Sequence, residues 1–106
     1  MRSDPDVMTV EIIDLAKDDL ADGFEFYERQ RRGLGDYFLD SLFADIDSLI
    51  LYAGVHRVEF GYHRALARTF PCFIYYDVIG DQIRIIAVLA QRSDPTYRRQ
   101  QTTSRG

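Results

Sequence analysis

Between Gln91 and Arg99 the chain sets out Gln91, Arg92, Asp94, Tyr97, Arg98 and Arg99, a run that holds the parts for two kinds of chemistry. Guanidinium groups can neutralise the charge that builds on a phosphoryl group in transfer, and a tyrosine can pass a proton to or from an oxygen. The same residue types also make a docking edge with no reaction at all, or a solvated tail. Asp77 falls between Arg64 and Arg84, a carboxylate with cationic neighbours; a cross-strand charge cluster that fixes register accounts for it without catalysis. His56 and His63 stand seven residues apart with Glu59 between them, but a metal would need a third converging ligand, so surface histidines and no metal site are expected. Gly33 and Gly35 follow a helical pattern and lack the lysine of a phosphate-binding loop, and no cofactor is expected.

The elements that must position these residues are limited by size and composition. At 106 residues the chain suits one domain with a modest core and is too small for a two-domain cofactor enzyme. Hydrophobic residues at 46% against 28% charged describe a folded chain. The single cysteine, Cys72, excludes an internal disulfide and a cysteine metal cluster, and its strand-forming neighbours make it a small buried hydrophobe. No apolar run is long enough to span a membrane and "MRSDPDV" lacks the apolar core of a signal peptide, so a soluble cytoplasmic protein is expected. With 13 Lys+Arg against 17 Asp+Glu there is no overall basic field for nucleic acid. The acids crowd the first half and the arginines the second, which suggests two faces with different tasks.

Periodicity predicts a strand over 8–13, then a helix started by Asp14 as N-cap, with Ala16, Leu20, Phe24 and Tyr27 on one stripe. Gly33 and Gly35 stop it. After Asp36 a second stripe runs through Leu39, Leu42, Phe43, Ile46, Leu49 and Ile50 to Gly54, giving an antiparallel helical hairpin. "YHRALART", "CFIYYDVI" and "QIRIIAVL" read as three strands of an antiparallel meander. The fold class is therefore α+β: an N-terminal strand and a helical hairpin packed on a C-terminal three-stranded sheet. Residues 8–99 form the domain, with flexible ends over 1–7 and 100–106.

Gly80-Asp81 suits a two-residue hairpin turn with glycine first. Counting back from it, Val78 faces Ile83, Tyr76 faces Ile85, Ile74 faces Ala87 and Cys72 faces Leu89, an apolar set under the helices. The opposite face pairs Asp77 with Arg84, Tyr75 with Ile86 and Phe73 with Val88. A tight corner at Phe70-Pro71 adds Arg64, Leu66 and Arg68 beside them. This aromatic and aliphatic floor, rimmed by Arg64, Arg68 and Arg84, reads either as a docking groove or as a floor covered by the chain's own tail.

The stretch from Tyr62 to Pro95 resembles the C-terminal half of the RelE/ParE superfamily of bacterial type II toxins, the plasmid-stabilisation group. The likeness rests on Tyr62, Arg64, Ala65, Leu66, Arg68, Phe70, Pro71, Ile74 and Tyr76, then Ala87, Val88, Leu89, Arg92, Asp94 and Pro95. The helical hairpin fits the same layout, so the likeness extends from about Met8 to Arg99.

That resemblance implies one of two activities. RelE-like members cut messenger RNA on the ribosome; ParE-like members are reported to poison DNA gyrase by binding. Where RNA-cutting relatives carry an arginine early in the strand after the corner, this chain has Phe73. Where many carry a histidine it has Ala90, and the next position, which can hold a catalytic arginine, is Gln91. The ParE-like branch is therefore preferred: a toxin with no catalytic residues, neutralised by a small ribbon-helix-helix or similar DNA-binding antitoxin. The antitoxin groove expected from the residues is Arg64, Leu66, Arg68, Phe73, Tyr75, Arg84, Ile86 and Val88. The target-binding residues are Arg92, Tyr97, Arg98 and Arg99. The alternatives are a ribosome-dependent endoribonuclease using Arg92 and Tyr97, and a degenerate member that binds antitoxin without toxicity.

Overall fold

A strand leads into two helices, four further strands follow, and a third helix closes the chain in the computed structural model, which describes residues 8–105. The strands are β1 (Thr9–Ile12), β2 (Val58–Glu59), β3 (Tyr62–Leu66), β4 (Cys72–Ile79) and β5 (Gln82–Ala90). The helices are α1 (Asp14–Gln30), α2 (Leu34–Tyr52) and α3 (Pro95–Thr103). One sheet holds the strands in the order β1-β5-β4-β3-β2, with β1 parallel to β5 and the other pairs antiparallel. The expected α+β layout of strand, helical hairpin and meander is present, extended by the two-residue β2 and by α3. The N-terminal segment 1–7 lies outside the described residues. Among the described residues no helix is long and apolar enough to cross a membrane.

Local chemistry sets the hairpin. Ile13, not Asp14, is the N-cap of α1, and no side chain caps it; Asp14 is the first helical residue, where its negative charge suits the helix dipole. Helix α2 begins earlier than the glycines suggest, because Glu28 of α1 accepts hydrogen bonds from the Gly33 and Gly35 N–H groups at 3.1 and 3.0 Å. A carboxylate from the preceding helix thus does the work of an N-cap. Gly33 takes the left-handed conformation at φ 88°, while Gly35 lies within α2 and is buried against Phe24. A Cβ at Gly35 would fall 2.8 Å from the Phe24 carbonyl oxygen. Gly35→Ala is expected to lower stability by about 2 kcal/mol by forcing the helices apart; an unchanged melting temperature would show that the hairpin yields there.

The hairpin packs its stripe on one face of the sheet. Ala16, Leu20, Phe38, Leu42, Ile46 and Leu49 meet Ile74, Tyr76, Ile83, Ile85 and Val88 in one core cluster. Phe38 joins this stripe while Phe43 and Ile50 are 43% exposed, so the stripe runs one helical position to the side of the expected one. Asp45, next to the stripe residue Ile46, is buried where its Oδ2 accepts the Arg68 N–H at 3.0 Å.

The β4–β5 ladder corrects the expected register. Pairing runs as counted from the Gly80-Asp81 turn through Val78 with Ile83, Asp77 with Arg84 and Tyr76 with Ile85. A bulge then intervenes, and Tyr75 pairs with Ala87, Ile74 with Val88, Phe73 with Leu89 and Cys72 with Ala90. Ile86 is the extra residue, and one inserted residue reverses the face of every side chain beyond it. Val88 therefore joins the helix-side core, and Ala87 and Leu89 join Phe73 and Tyr75 on the opposite face.

Candidate functional site

The face of the sheet turned away from the hairpin carries Phe73, Tyr75, Ala87 and Leu89, with Phe60 and Tyr62 packed at its border. It is not open. The segment expected to fray beyond residue 99 continues as α3 to Thr103, with Thr102 buried. Asp94 caps this helix by accepting the Thr96 N–H at 2.7 Å, and Pro95 sits in its first turn, where a missing N–H does no harm. From α3 the Arg98 side chain reaches inward and is only 6% exposed.

Arg98 anchors a buried polar chain. Its Nε donates to the Tyr75 hydroxyl at 3.2 Å, and its Nη1 donates to the carbonyls of Gln91 and Ser93. The Tyr75 hydroxyl donates to Glu59 Oε1 at 2.6 Å, and Arg64 Nη1 donates to Glu59 Oε2 at 3.1 Å. The guanidinium carbons of Arg64 and Arg98 lie 4.3 and 5.1 Å from the centroid of the Phe73 ring, a favourable placement of cations on an aromatic quadrupole. A carboxylate, a phenol and two arginines are thus joined into one satisfied network that fixes α3 to β2, β3 and β4.

Burial pushes the Tyr75 phenol up to about 12, with its hydrogen bond to Glu59 adding to the rise. Burial likewise pushes the Cys72 thiol up to about 11. The folded chain therefore holds two protons that the unfolded chain releases near the ordinary values of 9.0 and 10.0. Their stabilisation is complete below those values and is lost as pH rises through the folded ones. The melting temperature is expected to decline between about pH 9 and 12, and Tyr75→Phe to flatten the part above about pH 10. An identical slope in that variant would remove Tyr75 as its source.

The expected groove residues separate. Arg64 and Leu66 lie opposite Tyr75 and Phe73 in the β3–β4 ladder, and Leu66 is 61% exposed. Arg68 does not join them: β3 ends at Leu66, and the Arg68 backbone is tied to Asp45 of α2 on the helix-bearing side. Arg84 binds Asp77 through two hydrogen bonds of 3.0 and 2.6 Å, a bidentate cross-strand pair without Arg64. Ile86 is consumed by the bulge and Val88 belongs to the core, so neither lines this face as expected.

The expected target-binding residues also diverge, because successive residues of a helix point in different directions. Arg98 is inside and unavailable to a target. Arg99 lies 5.6 Å from the Phe60 ring, whose residue has a left-handed backbone at φ 59°. Arg92 and Tyr97 line a cleft of about 580 Å³ between α1, the end of β5 and the start of α3, together with Phe26 and Tyr27. Sequence reasoning missed this cleft, Glu59 and the Asp19–Arg105 pair at its border. Arg105 Nη1 and Nη2 donate to the Asp19 carboxylate at 2.6 and 3.1 Å.

The histidines serve structure. Tyr76 OH accepts the Gly54 N–H at 3.1 Å and is hydrogen-bonded to His56 Nδ1 at 2.5 Å, while His63 Nδ1 donates to the His56 carbonyl at 2.8 Å. These bonds tie the loop after α2 to the sheet.

The α+β arrangement of helical hairpin and mixed five-stranded sheet is similar to that of a solved chain described as "Chromosomal ParDE TA system from P. aeruginosa", with a TM-score of 0.68 over 80% of this chain and 97% of that one. The chain has a RelE/ParE-like fold. Identity to that chain is 15%, so the likeness is one of fold. No family model matches the sequence, and no curated protein is similar to it at a significant level. Within the RelE/ParE-like fold, the second face is closed by α3 and the Arg92–Tyr97 cleft lies open beside α1.

Proposed function

We propose that the protein is the toxin component of a type II toxin–antitoxin system, acting in the cytoplasm by binding DNA gyrase in the ParE-like manner and neutralised by a small DNA-binding antitoxin. The observation that carries this reading is the fold shared with a chain of a ParDE system. Binding is favoured over RNA cleavage by the state of the cations. Phosphoryl transfer needs positive charge and a proton acceptor free to meet the reacting oxygens. Arg64 and Arg98 are already engaged by Glu59, Tyr75 and backbone carbonyls, and Phe73 fills the centre of the face. Arg92, Tyr97 and Arg99 keep exposed surface and remain the target-binding residues.

Induced expression is expected to arrest growth, co-expression of the product of the adjacent small reading frame to relieve it, and the purified protein to inhibit gyrase supercoiling. Codon-specific cuts on programmed ribosomes that vanish in Tyr97→Phe would replace this reading with an endoribonuclease. Absence of arrest together with a stable complex with the neighbour's product would make the chain a non-toxic antitoxin binder.

A further inference from the structure

Strand β1 pairs with β5 only from Gln82 to Ile85. The rest of β5, from Ile86 to Ala90, has no strand on that side among the described residues. Side chains satisfy part of this edge. Asp19 Oδ2 accepts the Val88 N–H at 3.0 Å, and Arg105 Nη1 donates to the Ile86 carbonyl at 3.1 Å. The Ala90 carbonyl accepts from the Ser93 N–H and hydroxyl at 3.1 and 2.6 Å. Among the described residues no side chain or loop takes the carbonyl of Val88 or the N–H of Ala90, and Cys72, which faces Ala90 across the ladder, spends its own N–H on Phe70 and its carbonyl on Ala67.

An acceptor and a donor two residues apart are the pair used by a parallel strand: one incoming residue opposite Leu89 gives its N–H to Val88 and receives the N–H of Ala90. An antiparallel strand exchanges both bonds with a single residue, and Val88 and Ala90 each have one group already taken. A helix satisfies its own backbone, so an extended segment is the form of peptide that answers both groups. The cleft of about 580 Å³ opens beside this edge, with Phe26 43% and Tyr97 48% exposed on its walls. At its rim Arg92 pairs with no carboxylate among the described residues.

We propose that this edge receives an extended segment of the neutralising antitoxin, added parallel to β5 opposite Leu89, with an apolar side chain between Phe26 and Tyr97 and a carboxylate at Arg92. The proposal rests on the toxin–antitoxin reading and moves the docking site from the second face to the β5 edge. It is tested with the full chain and the product of the adjacent reading frame. In the complex, exchange of the Ala90 amide is expected to slow at least tenfold. Ala90→Pro, which removes an N–H that β4 does not use, is expected to weaken binding about tenfold, and Arg92→Glu to weaken it further. Should Ala90→Pro fail to fold, the exchange measurement decides without it. A complex in which Ala90 exchanges as in the free chain overturns the docking site and leaves the toxin reading standing. No complex at all overturns that reading, and the named partner with it. Concentration-dependent protection of Ala90 in the chain alone assigns the edge to a second copy and overturns the proposal.

Discussion

Arg98→Ala is expected to lower stability by about 3 kcal/mol, the scale for breaking a buried charged network, and the melting temperature by about 12 °C. The loss has three sources. The Tyr75 hydroxyl loses a charged donor, the Gln91 and Ser93 carbonyls lose theirs, and the Phe73 ring loses one of its two cations, keeping Arg64. Arg98→Lys should recover only part of this, since a single ammonium cannot reach the hydroxyl and both carbonyls in the geometry of a planar fork. Removing the chain from Tyr97 onward should be worse still, because it strips the cover from Phe73 and Tyr75. Thermal denaturation of the three variants checks the order. A truncated chain that melts with the full one would mean that α3 contributes little, and any loss of toxicity on truncation could then be assigned to lost target contacts rather than lost folding.

The second large effect is expected at Asp19. Asp19→Ala removes the counter-charge of the nearly buried Arg105, whose guanidinium keeps only the Ile86 carbonyl and the Gln101 side chain, and takes the acceptor from the Val88 N–H. Removing one partner of such a pair costs about 4 kcal/mol, because the remaining buried charge loses its counter-charge. Asp19→Ala with Arg105→Ala should cost less than the two single changes added, and that difference measures the coupling. Additive losses in denaturant unfolding would show that the two side chains act independently.

Much of the fold was legible in the sequence because it follows from short-range rules. Hydrophobic spacing gave both helices, and the Gly80-Asp81 turn fixed the β4–β5 register as far as Tyr76 and Ile85. Beyond that point the pattern misleads: Tyr75, Ile86, Ala87 and Val88 are all apolar or aromatic, so nothing in their order marks which residue is extra. The face occupied by each was decided by tertiary packing of the bulge. Helix α3 was hidden for a different reason. Its sequence, PTYRRQQTT, has almost no apolar stripe, and it is held by Arg98 and buried Thr102 rather than by hydrophobic side chains. The residues of the candidate site show the same division. Arg64, Phe73 and Tyr75 do meet on one face, but Glu59, which joins Arg64 to Tyr75, lies in a two-residue strand too short for any periodicity to show.

The Asp19–Arg105 clasp joins residues 86 positions apart. Bringing such distant residues together carries the loop-closure entropy of nearly the whole chain, so the contact follows the local ones during folding. An interaction absent from the transition state leaves the folding rate almost untouched and appears instead in the rate of opening. The clasp therefore sets how long α3 stays closed over the sheet more than how fast the sheet is made, and works as a brake on opening.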